Sequence, residues 1–124
     1  MSNQHFIKAE ELAKNGQFEE ALSHYNESIK TEPKNPRFYS QRAVCFFHLK
    51  NLEKSLDDMN TAVSLEPDYS YRYASRAYIR DAKGDVKGAV ADYQKAIELD
   101  PTDAVAHNNL GLLEEKLGYI EASK

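Results

Sequence analysis

Four histidines, one cysteine and several adjacent acid pairs are the side chains with which this sequence could do chemistry. His5, His24, His48 and His107 are scattered, no His-x-x-x-His or Cys-x-x-Cys spacing presents metal ligands, and no glycine-rich loop is available to cradle phosphate. The pairs Glu19-Glu20, Asp57-Asp58 and Glu114-Glu115 fall in segments of helical periodicity and read as solvated faces. Cys45, flanked by Val44 and Phe46, reads as a packed thiol. A single cysteine forms no internal disulfide and fits a reducing compartment. With no catalytic residue, metal site or cofactor site to name, the expectation is a protein that is not an enzyme.

The densest basic stretch, Arg72, Arg76, Arg80 and Lys83, is interleaved with Tyr71, Tyr73 and Tyr78, a combination that could stack bases. Asp81, Asp85 and Asp92 dilute it, and the net charge is −4, so no phosphate-neutralising footprint results and no nucleic-acid partner is expected. A charged fraction of 29% and a mean hydropathy of −0.71 suit a protein that folds without a membrane. No run approaches the roughly 18 apolar residues of a spanning helix. The amino end, MSNQHFIKAEELAKNG, lacks the basic and apolar regions of a secretory signal, and the expected location is cytoplasmic.

The elements that position these side chains follow from a 34-residue period. Pro33, Pro67 and Pro101 close the segments SIKTEP, AVSLEP and AIELDP. The same step joins Ala9, Ala43, Ala77 and Gly111, then Gly16, Lys50, Gly84 and Gly118, then Ala21, Ser55, Ala89 and Ser123. Ser28, Ala62 and Ala96 form another small column, and Tyr25, Met59 and Tyr93 a larger one. A fixed period of this size marks a solenoid, and small residues at fixed places mark where helices touch. Each unit divides into two stretches of helical spacing, as in Tyr39, Ala43, Phe46, Phe47 and Leu56, Met59, Ala62, Val63. Breaks near Gly16, Lys50-Asn51, Gly84 and Gly118 separate the paired helices, and proline ends the second of each pair. The expected helices are 2–14, 18–31, 36–49, 52–65, 70–83, 86–99 and 104–117.

Hairpins of this length, with an aromatic-x-x-x-small pattern and a terminal proline, resemble the tetratricopeptide repeat. The pattern runs through Tyr39, Ala43, Phe46, Ser55, Met59, Ala62, Pro67 and again through Tyr73, Ala77, Ala89, Tyr93, Ala96, Pro101. His107, Leu110 and Gly111 begin a fourth unit, while the first departs with His5 and Lys8. The resemblance implies an all-α, right-handed α-solenoid of antiparallel helix hairpins over 1–124, with repeats at about 2–35, 36–69 and 70–103 and a partial fourth at 104–124. One hairpin has too little apolar face to stand alone, so neighbours must stack.

Differences between the repeats carry the remaining clues. Arg42 and Arg76 stand where the resemblance implies leucine, and each is followed sixteen residues later by an aspartate, Asp58 or Asp92. Their heights on facing helices favour an ion pair across each hairpin. The family's carboxylate clamp for acidic chaperone tails implies lysine, arginine and asparagine at places that here hold Phe6, Glu10, Gln41, Tyr71 and Ser75. Arg72 and Arg76 each sit one residue away from the last two, a rotation of about 100° on a helix.

The resemblance also implies a concave groove lined by the first helix of each pair. Its candidates are Phe6 and Glu10; Arg37, Gln41, Val44, Phe47 and His48; Tyr71, Ser75 and Tyr78; and Asn108, Asn109, Leu112 and Glu115. Aromatic anchors beside polar neighbours suit recognition of a peptide or partner segment, so a protein-protein interaction scaffold is expected. Packing between hairpins is the competing reading of any single aromatic. The alternative function is self-assembly through the incomplete last unit, where Leu110, Leu113, Leu117 and Ile120 are expected to leave an apolar edge. The same edge suits a fragment of a longer array.

Overall fold

The computed structural model describes residues 3–124, which form seven α-helices and no strand. These are α1 (Gln4–Lys14), α2 (Phe18–Thr31), α3 (Pro36–His48), α4 (Leu52–Leu65), α5 (Ser70–Ala82), α6 (Val86–Leu99) and α7 (Ala104–Ala122). Side-chain oxygens start five of them: Asn3, Asn35, Asn51, Asp85 and Asp103 accept from the free N–H groups of the first turn. Pro36 opens α3, where a missing N–H costs nothing.

The first helix of each hairpin stops by one device. Gly16, Lys50 and Gly84 have φ of 80°, 65° and 91°. In each case the residue after the turn donates back to a carbonyl five residues earlier, Gln17 to Leu12, Asn51 to Phe46 and Asp85 to Arg80, all at 2.8 Å. The turn residue itself donates to Ala13, Phe47 or Asp81, completing a double bond pattern that satisfies the last carbonyls.

The chain divides into two compact units, one ending at Pro67 and the other running from Asp68 to Lys124. In the first, α1 packs on α2, α2 on α3 and α3 on α4; in the second, α5 packs on α6 and α6 on α7. The small columns lie at these contacts. Ala9, Ala43, Ala77, Ala21, Ser55, Ala89, Ser28, Ala62 and Ala96 have no exposed surface. Where serine replaces alanine its hydroxyl finds a carbonyl, Ser55 donating to Ala43 at 2.7 Å and Ser28 to His24 at 2.9 Å. Phe6, Leu12, Tyr25, Phe38 and Cys45 fill the core of the first unit; Val86, Val90, Tyr93 and Leu113 fill that of the second.

The last helix departs from the sequence expectation. It continues through Gly118 to Ala122 without a turn. Gly118 lacks the positive φ of its column. Gly111 faces open space, so its column is buried in three places and not the fourth. Leu113 is buried, and Leu110 and Leu117 pack on the same core, so these three do not form the expected apolar edge. The outward apolar side chains of α7 are Val105, Leu112, Tyr119 and Ile120. Among the described residues no helix is long and apolar enough to cross a membrane.

Candidate functional site

In each unit a cleft has as its floor a buried tyrosine from the second helix of a hairpin. In the first unit this is Tyr25. Its hydroxyl donates to Glu10 Oε1 on α1, Gln41 Nε2 on α3 donates to Glu10 Oε2 at 3.2 Å, and Arg37 Nη2 stands 3.9 Å from the same carboxylate. Burial first, and then the bond to Glu10, push the Tyr25 phenol far above its usual range. Cys45 lies under the same floor, fully buried, with burial and then the Glu10 charge pushing its thiol up to about 11. The cleft is about 600 Å³ and is walled by Lys14, Phe18, Val44 and His48, the last stacked on Phe18 at 4.4 Å.

In the second unit the floor is Tyr93, whose hydroxyl accepts from Asn109 Nδ2 on α7 at 3.4 Å. Burial is the main cause raising its phenol pKa. The walls of this trough, about 440 Å³, come from Tyr71, Ser75 and Tyr78 on α5, from Asp103, which caps α7, and from Val105 and Asn109 on α7. Tyr78 and Leu112 continue it toward Asp81. Tyr71 and Tyr78 are 62% and 60% exposed and seven residues apart, hence on one face of α5. Val105 and Leu112 repeat that spacing on α7 and are likewise exposed. Among the described residues no cation lines the trough; Asp103 is occupied in capping α7, and Asp81 is paired with Lys116 at 3.2 Å.

The two floors are built alike. A tyrosine meets an amide-bearing helix sixteen residues later, through Glu10 at Gln41 and directly at Asn109. A buried phenol needs a partner for its O–H, which makes these positions polar by necessity. Met59, the remaining member of the column, is buried and needs none.

Both expected ion pairs form. Arg42 Nε and Nη2 donate to Asp58 at 2.7 Å each, with Nη1 reaching Asn26 at 2.9 Å. Arg76 makes the same fork with Asp92 at 2.8 Å, and Arg80 Nη1 adds a bond of 2.9 Å that the sixteen-residue spacing did not reveal. Both forks lie away from the cleft linings and join hairpin helices.

Of the groove residues expected from sequence, Gln41, Val44, Tyr71, Ser75, Tyr78, Asn109 and Leu112 line the clefts. Glu10 and His48 join the first of them. Phe6 is core: its ring lies 4.7 Å from Phe38 and 6.0 Å from Tyr25, with the Arg37 guanidinium 4.7 Å above it. Phe47 is half-buried edge-on to His48, and Asn108 and Glu115 are exposed outside the linings. Tyr25, Tyr93, Asp103 and Val105 also line the clefts and were not among the groove candidates. The histidines are less scattered than their numbering suggests, since His5 and His24 face each other across the first hairpin at 3.1 Å.

The tetratricopeptide repeat profile matches residues 8–70, just over half the chain, and a TPR repeat profile matches residues 77–118. The chain belongs to the tetratricopeptide repeat family. Among curated relatives, U-box domain-containing protein 70 of Oryza sativa subsp. japonica is 30% identical over 91% of this chain and 13% of its own length. Stress-induced-phosphoprotein 1 of Caenorhabditis elegans is 31% identical over 83% of this chain and 32% of its own length. The chain therefore spans under a third of these two curated relatives. Among solved structures, the first TPR of Spaghetti (RPAP3), bound to the HSP90 peptide SRMEEVD, superposes with a TM-score of 0.89 at 29% identity, covering 95% of this chain and 97% of that one.

Proposed function

We propose that this tetratricopeptide chain is a non-catalytic protein-interaction scaffold whose trough in the second unit binds a peptide or partner segment of neutral to basic charge with apolar anchors. The observation that carries this is the pair of exposed tyrosines, Tyr71 and Tyr78, facing Val105 and Leu112 across a floor that offers amide and phenol groups but no cation. Such walls give an anchor side chain area to bury, and Asn109 gives the ligand backbone a partner.

The relative bound to SRMEEVD makes an acidic tail the obvious competing ligand. The five clamp places argue against it. Phe6 is consumed by the core, Gln41 already donates to Glu10, and Glu10 presents a carboxylate where a ligand carboxylate would need a donor. Tyr71 and Ser75 supply no positive charge. A protein working through such clefts needs no cofactor, and the lone buried Cys45 suits a reducing, cytoplasmic setting.

Selection from a displayed peptide library tests the reading. Wild type is expected to enrich sequences with basic and aromatic or aliphatic residues, and Tyr71→Ala with Tyr78→Ala to lose that enrichment while melting as wild type does. Equal enrichment by the folded variant, or tight carboxylate-dependent binding of SRMEEVD, overturns it.

A second reading is favoured by the row Val105, Leu112 and Tyr119, exposed at seven-residue intervals along α7. Such a stripe suits self-association. Light scattering over a concentration series separates the two: a strict monomer leaves only the peptide-binding reading.

A further inference from the structure

The geometry points to a divalent transition-metal site formed by His5 on α1 and His24 on α2, a clip across the first hairpin that is independent of either cleft. Their Nδ1 atoms are 3.1 Å apart and the rings are tilted by 33° with centroids 5.3 Å apart. Two nitrogens this close are held without a metal only when one ring carries its proton on Nδ1 and the other leaves Nδ1 bare.

That separation is also the bite of a chelate. Two metal–nitrogen bonds of about 2.0–2.1 Å closing on these nitrogens meet at about 100°, between the octahedral and tetrahedral angles. Each lone pair must then point about 40° off the line joining the two nitrogens, so the rings turn from the hydrogen-bonded pose to aim both at one point. His5 is exposed and His24 half-buried, so the His5 ring has room to make the larger part of that turn. Binding moves the bridging proton from Nδ1 to Nε2 of the same ring through water, leaving both imidazoles neutral and both Nδ1 atoms free to donate.

The hairpin preorganises the pair. Asn3, whose side chain caps α1, donates to Thr31 Oγ1 at 2.7 Å, so the start of α1 is fastened to the end of α2 beside the two rings. Among the described residues no third histidine, cysteine or carboxylate joins them. Water completes the coordination, and imidazole pairs of this kind suit copper, nickel and zinc rather than magnesium or calcium.

The test is titration of the full chain with Ni2+ and Zn2+, followed by thermal melting and by 15N NMR of the histidine rings. One ion per chain is expected, with a rise in Tm that grows with metal concentration and with the metal-induced shift on Nδ1 of both rings. His5→Gln and His24→Gln should each weaken binding at least tenfold, while His107→Gln leaves it unchanged. A smaller loss in either variant, dependence on His107 or His48, or no binding at millimolar metal overturns the site. The ring shifts in wild type give the answer even if a variant is poorly folded.

Discussion

Arg76 and Asp92 meet through two parallel hydrogen bonds of 2.8 Å that join α5 to α6. The carboxylate is nearly inaccessible, and Arg80 shares it at 2.9 Å. Asp92→Ala therefore removes the common acceptor of two guanidiniums and should cost about 3–5 kcal/mol. Adding Arg76→Leu should recover part of that loss. Urea denaturation of the two single variants and the double checks this; strictly additive losses mean that the pair is uncoupled.

Alkaline stability should depend on Cys45. Burial pushes its thiol up to about 11 in the folded chain, from an ordinary 9.0. The folded state thus holds its proton more tightly than the unfolded state. The associated stability is complete below pH 9 and is lost as pH rises from 9 through 11, by up to about 2–3 kcal/mol. Melting curves across that range should steepen this decline in wild type relative to Cys45→Ala. Parallel pH profiles count against a buried thiol.

The hairpin turns offer a backbone test. Lys50 adopts a φ of 65° where its counterparts are glycine. Lys50→Gly should be neutral to stabilising by about 1 kcal/mol, since it removes left-handed strain at the cost of chain entropy. Gly84→Ala, at φ of 91° with open space around an added Cβ, should lose about 1 kcal/mol for backbone reasons alone. A shift in denaturation midpoint of the opposite sign in either variant contradicts the turn assignment.

Phe6 links fold and ligand choice. It stands where a clamp lysine would, yet it packs against Phe38 and Tyr25. Phe6→Lys should cost about 3 kcal/mol or more, as loss of a core phenylalanine does, so an acidic-tail clamp cannot be installed there without weakening the first unit. A variant that melts unchanged and gains affinity for SRMEEVD counts against this packing role.

The period made the seven helices and the buried small columns legible, because close helix contacts admit only small side chains at fixed intervals. The Arg42–Asp58 and Arg76–Asp92 forks were legible too, since equal distance from a hairpin turn places residues at equal height. Arg80 was not, as one further helical turn gave no distinguishing spacing. The role of Tyr25 escaped for a related reason: a buried phenol looks apolar in a pattern, while its hydroxyl sets the chemistry of the floor. Gly118 misled because a glycine permits a turn and packing decides whether one forms.

The buried columns and the cleft floors have different evolutionary freedom. A change at Ala9, Ala43 or Ala77 disturbs a helix contact, so those positions are held by the architecture. The floor column already tolerates both tyrosine and methionine, as Tyr25, Met59 and Tyr93 demonstrate. Substitution at the floor and its amide partners can thus change the lining of a cleft while the helix contacts that build the repeat stay intact.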